Sequence, residues 1–147
     1  MRIYVIDDEP TVLMASGLPL PANVKGIVAD CPYTSPKEII MKVCRDMKLP
    51  ARPLWPLVWL AARLFARFDP NAADAARAVT RTPVPVLLIH GEDDRFVPAY
   101  MSEPMAAANP ARVTRATFPG TGHGLSYLED TPRYQKLTRD FIESCLK

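Results

Sequence analysis

The sequence predicts an α/β fold of about four parallel strands with helices on both faces. Three observations predict it. Short apolar or β-branched runs alternate with stretches of helical periodicity, four times along 147 residues. Val84 to His90, with its Pro-Val-Leu-Leu-Ile core, has no polar alternation, as a parallel strand covered on both faces requires. The residues able to do chemistry fall in loops directly after strands, where ligand sites of such sheets lie.

The elements follow in order. Arg2 to Ile6 reads as a buried strand. Asp7, Asp8, Glu9 and Pro10 precede a helix over Thr11 to Ser16, since acids and a first-turn proline suit a helix start, and Gly17 ends it. Val24 to Ala29 is the second strand, with Asp30 at its end. Ser35-Pro36-Lys37-Glu38 is a capping box, and Ile39, Ile40, Val43 and Met47 continue at helical spacing. The prolines between Leu49 and Pro56 end that helix. Leu57 to Phe68 is helical and apolar over most of its circumference, which predicts that it is well covered. Asn71 to Val79 is a short alanine-rich helix. After the third strand and the loop Gly91 to Val97, Pro98 opens a helix to about Ala108. Arg112 to Phe118 is the fourth strand. A glycine-rich loop then carries His123, and Asp130 or Thr131 caps a last helix whose apolar stripe runs from Tyr134 to Leu146.

Composition narrows the function. The net charge is +2 and the basic residues are scattered, which argues against nucleic acid. Cys31, Cys44 and Cys145 are an odd set of widely spaced thiols, not a disulfide framework, and point to a reducing, cytoplasmic setting. Two histidines without a cysteine or carboxylate cluster predict no metal site, and nothing calls for a cofactor. Met1 leads straight into a strand-like run, so no signal peptide is read. The apolar stretch Leu54 to Phe68 is too short to span a bilayer and is interrupted by Arg63 and Arg67; a core or lid helix is the better reading.

The chemistry concentrates in two loops. The third strand ends in His90-Gly91-Glu92-Asp93-Asp94-Arg95-Phe96-Val97-Pro98, the fourth in Phe118-Pro119-Gly120-Thr121-Gly122-His123-Gly124. A carboxylate from one and an imidazole from the other emerge at the same sheet edge, where the acid can fix the imidazole tautomer and leave the second ring nitrogen as a base. These two loops resemble the acid and histidine loops of the α/β-hydrolase superfamily, of the serine esterase and aminopeptidase type. The resemblance places the triad acid at Asp94 and the base at His123. It extends from about Thr11 to the C-terminus and includes Gly26 to Pro36, which is similar to that family's sixth strand and following loop. It implies a single truncated domain over 1–147, beginning at the family's fifth strand, with a lid-like helical insertion over about 35–79.

The same resemblance calls for a G-x-S-x-G elbow before residue 11. A gapless extension puts Ile6 at the serine position and Asp8 where a small residue is needed. Some members use an aspartate nucleophile, and Asp7 lies one position off, but Asp8 and Glu9 crowd the turn. Ser16 reads as a capping or surface serine, and Ser126 as locally hydrogen-bonded. Asp93 reads as a solvated neighbour of Asp94, Asp30 as a loop-stabilising acid and His90 as a structural loop histidine. Trp55, Trp59 and Phe65 are either lining of an apolar acyl pocket or core. Separately, Met1 to Pro10 resembles the opening of a response-regulator receiver domain, whose acidic pair binds magnesium; no strand-ending Asp near residue 50 and no later Lys-Pro pair follow it.

Two functional expectations stand side by side. One is a hydrolase of small-molecule esters or peptides acting by acyl transfer. The other is a catalytically inactive relative that binds a partner, as a homodimer through the unpaired edge strand 2–6.

Overall fold

Val86–Gly91 (β3) is buried along its whole length, so it must pack on both faces and pair on both edges. It does. The sheet has four strands in the order β1-β2-β3-β4, where β1 is Ile3–Asp7, β2 Val24–Asp30 and β4 Val113–Phe118. Every pairing is parallel. β3 holds β2 through the partners Ile27/Val86 to Asp30/Ile89, and β4 through Val86/Val113 to Gly91/Phe118. The structure is a computed structural model that describes residues 16–146, together with the backbone of 3–7. The expected helix over Thr11 to Ser16, with Asp8, Glu9 and Pro10 before it, lies outside the described residues, Ser16 excepted.

The two-residue period of the strands sorts the core. Ile27, Ala29, Val86, Leu88 and Val113 face one side with Ala75, Val79 and Met105. Val28, Leu87, Ile89 and Phe118 face the other, against Tyr134, Leu137 and Phe141. The first layer is made by the short helices α3 (Ala75–Val79) and α4 (Glu103–Ala108), the second by α6 (Thr131–Ser144). The predicted α/β architecture is therefore the observed one.

Local signals behave as chemistry requires. Ser35 caps α1 (Pro36–Asp46), its hydroxyl accepting from the Glu38 amide at 3.2 Å. Asp130 caps α6 in the same way, accepting from Arg133. The expected helix from Pro98 divides into a 3₁₀ turn, Ala99–Ser102, and α4, because Pro104 has no amide to continue the ladder. A short helix, α5 (Ser126–Glu129), precedes α6.

Two expectations need correction. The proline-rich stretch does follow the end of α1 at Asp46, but the next helix begins earlier than Leu57: α2 runs Ala51–Phe65, with Pro50 at its start and Pro56 inside it. Pro53 sits in the first turn, where its missing amide costs nothing, and Pro56 gives up one bond. Nor is this helix well covered. Leu57, Leu60, Leu64, Phe65 and Phe68 are all exposed, while Leu54, Trp55, Val58 and Trp59 are half-buried on the α1 side. An apolar circumference states what a helix tolerates against it, not what the fold supplies.

Candidate functional site

The C-terminal edges of β2, β3 and β4 bring three loops together. The β3 loop turns on Asp94, whose side chain is fully buried. Its Oδ1 accepts from the Phe96 amide at 2.9 Å and the Val97 amide at 2.8 Å, a local turn that aims the other oxygen outward. That oxygen, Oδ2, accepts from His123 Nδ1 at 2.6 Å. The imidazole is 35% exposed and rests edge-on against Phe96, ring centres 5.1 Å apart. With Nδ1–H committed to the carboxylate, Nε2 is the nitrogen left to exchange protons.

Backbone contact sets the spacing of the two loops. The Glu92 amide donates to Phe118 O and the Asp93 amide to Thr121 O, both at 3.0 Å. Gly91 makes this approach possible: a Cβ there would lie 2.3 Å from Thr121 O. Gly124, at φ +65°, turns the chain after the histidine. Lys42 of α1 donates to Arg95 O, tying the helical segment to the acid loop.

Cys31, which sequence reasoning passed over, belongs to this cluster. It is buried, follows β2 and holds a φ of +50°, a conformation rare outside glycine. Its Sγ accepts from the Gly124 amide at 3.3 Å and its thiol reaches Asp30 Oδ1 at 3.3 Å. The only sequence signal was its place just past a strand end, beside Asp30. Burial pushes the thiol up to about 12, so it is not a thiolate nucleophile; it supports the histidine loop from beneath. Cys31, Asp94 and His123 each offer a ligand atom within 4.8 Å of the others. Yet the carboxylate already accepts from two amides and the imidazole, and Cys31 Sγ from the Gly124 amide, so this donor set is engaged as a hydrogen-bonded cluster.

The other candidates fall out as follows. Asp93 is exposed, as expected. His90 lies on β3 rather than in a loop and is fully buried, Nε2 donating to Val97 O at 2.8 Å. Burial holds its pKa below the usual value, so it stays neutral; its Nδ1 has no partner among the described residues. Ser16 is buried, not a surface serine. Ser126 is buried too, and its hydroxyl has no partner among the described residues, so the expected local hydrogen bond is not made. Phe65 is 87% exposed and lines neither core nor pocket; Trp55 and Trp59 are half-buried. Ile6 and Asp7 still belong to β1, in register with Val28 and Ala29, and Asp8 lies outside the described residues.

Asp30 carries a testable consequence. Burial raises its carboxyl above the ordinary 3.8, only partly offset by hydrogen bonds from Cys31 and Tyr134. A raised folded-state value means the carboxyl's contribution is fully present below pH 3.8 and is lost as pH rises through the folded value. Asp30→Asn keeps the acceptor and removes the charge. The variant is expected to melt about 2–4 °C higher at neutral pH and to show no gain near pH 3, in thermal denaturation followed by circular dichroism.

A sequence profile of the Alpha/beta hydrolase family matches residues 5–134. An uncharacterized protein of Bacillus subtilis (strain 168) is 21% identical over 135 residues, 91% of this chain and 44% of that protein. Solved structures share the fold: an esterase of Pyrococcus furiosus (20% identity, TM-score 0.66, 99% of this chain and 54% of that one) and the acylaminoacyl peptidase of Pyrococcus horikoshii (17%, 0.64, 97% and 24%). The chain thus spans less than half the length of its curated relative. With the profile covering most of its length, and the acid and histidine loops meeting at the sheet edge, this chain belongs to the alpha/beta hydrolase family.

Proposed function

We propose that the chain is a hydrolase of ester or peptide bonds acting by acyl transfer, with His123 as general base and acid and Asp94 as the group that orients it. One observation carries this reading: the 2.6 Å hydrogen bond from His123 Nδ1 to a fully buried carboxylate, in an imidazole that solvent still reaches. Such a pair withdraws a proton from an attacking hydroxyl through Nε2 and returns it to the leaving group, while the carboxylate stabilises the imidazolium. The sequence has no G-x-S-x-G elbow, so the nucleophile is unassigned. The segment from 35 to 79, which lies between β2 and β3 and is tied to the acid loop through Lys42, serves as a lid. The setting is cytoplasmic, consistent with the three free thiols. No cofactor enters.

The purified chain assayed on short p-nitrophenyl esters tests the proposal. Turnover that disappears in His123→Ala supports it; turnover indifferent to that change refutes it. A second reading is a non-catalytic module that dimerises through β1, which sits at the end of the sheet with β2 as its one strand partner among the described residues. No turnover together with a concentration-dependent dimer in sedimentation selects this second reading.

A further inference from the structure

The helix α2 presents a face that the rest of the described chain leaves bare. Pro53, Pro56, Leu57, Leu60, Ala61 and Leu64 recur at i, i+3, i+4, i+7, i+8 and i+11, and all are exposed. Leu57 is 65%, Leu64 64% and the adjoining Phe65 87% exposed. This is a continuous stripe, not scattered surface residues. No side chain on it carries a polar atom.

The unpaired charge around the stripe has one sign, since the bordering acids Asp46 and Asp69 pair with Lys42 and Arg63. From residue 48 to 68 there are four basic residues and no acid: Lys48, Arg52, Arg63 and Arg67. Arg63 is spent internally, paired with Asp69 at 2.9 Å and stacked on Trp59. Lys48, Arg52 and Arg67 are exposed and make no ion pair among the described residues.

We propose that α2 docks the protein on an anionic phospholipid bilayer. The helix lies in the plane of the surface, the stripe enters the acyl boundary, and Lys48, Arg52 and Arg67 meet the headgroup phosphates. It does not cross: among the described residues no helix is long and apolar enough to do so. Charge complementarity favours lipid over a second copy, because a two-fold contact across the stripe sets these cations near their own symmetry mates, while the bordering acids Asp46 and Asp69 are already paired within the chain. The stripe also lacks the hydrogen-bonding side chains that a protein interface uses. The proposal is independent of turnover at His123 and of pairing through β1.

The test is co-sedimentation of the purified chain with phosphatidylcholine vesicles and with vesicles of phosphatidylcholine and phosphatidylserine at roughly 7:3. The chain is expected to pellet with the anionic vesicles at low salt and to leave them as salt screens the charges. Leu57→Asp/Leu64→Asp is expected to weaken binding about tenfold or more, with unchanged circular dichroism since both side chains are exposed. Lys48→Gln/Arg52→Gln is expected to weaken the preference for the anionic vesicles several-fold while keeping the stripe. Absence of binding at low salt overturns the proposal, as does a double leucine variant that binds like the parent. A dimer that this variant dissociates, without any vesicle binding, overturns it too and assigns the stripe to a second copy.

Discussion

Changing Asp94 to asparagine is expected to lower the proposed ester turnover by about 10⁴-fold while leaving the fold in place. The reason lies in how the carboxylate is divided. Oδ1 is held by the Phe96 and Val97 amides, so an asparagine keeps its oxygen there and turns its NH₂ toward His123. Nδ1 then has to accept rather than donate, the ring proton moves to Nε2, and the nitrogen that faces a substrate is no longer a base. The loop turn survives, so the melting temperature moves little, and kinetics rather than denaturation reads the change. His123→Ala is expected to lose at least as much. A loss of less than about tenfold in Asp94→Asn, with an intact circular dichroism spectrum, would remove Asp94 from the proposed mechanism.

Gly91→Ala is expected to be the most damaging single methyl in the described chain. Its Cβ would meet Thr121 O at 2.3 Å, Gly122 O at 2.6 Å and Thr121 C at 2.9 Å, all backbone atoms. No rotamer relieves such a contact; the histidine loop has to move off β3. That breaks the Glu92–Phe118 and Asp93–Thr121 bonds and separates His123 from Asp94. The expected cost is about 4 kcal/mol or more, a drop of at least roughly 8 °C in melting temperature, together with loss of any His123-dependent turnover. Gly124→Ala is the control. Nothing lies within 4 Å of its Cβ, so only the left-handed backbone is strained, at about 1–2 kcal/mol. Equal melting temperatures for the two variants would show that loop packing against Gly91 does not govern this edge.

Much of the fold was legible because its signals are local. The unalternating apolar run of β3 announced a strand buried on both faces, and Ser35-Pro36-Lys37-Glu38 announced a helix start. The turn around Asp94 is also local: a carboxylate reaching amides two and three residues on. The exposed stripe of α2 was misread for the complementary reason. Its apolar periodicity was plain, but whether another element covers a face depends on residues distant in the chain.

Sequence alone determined the order of the four strands, the parallel α/β class, and two loops carrying an acid and a histidine. Tertiary structure alone decided that those side chains meet at 2.6 Å, that Cys31 lies buried beneath them, and that Leu57, Leu64 and Phe65 face outward. The division is physical. Periodicity, caps and turns arise from interactions within a few residues. Burial, and hydrogen bonds such as those linking residues 94 and 123 or 31 and 124, exist only once parallel pairing has aligned the strand ends.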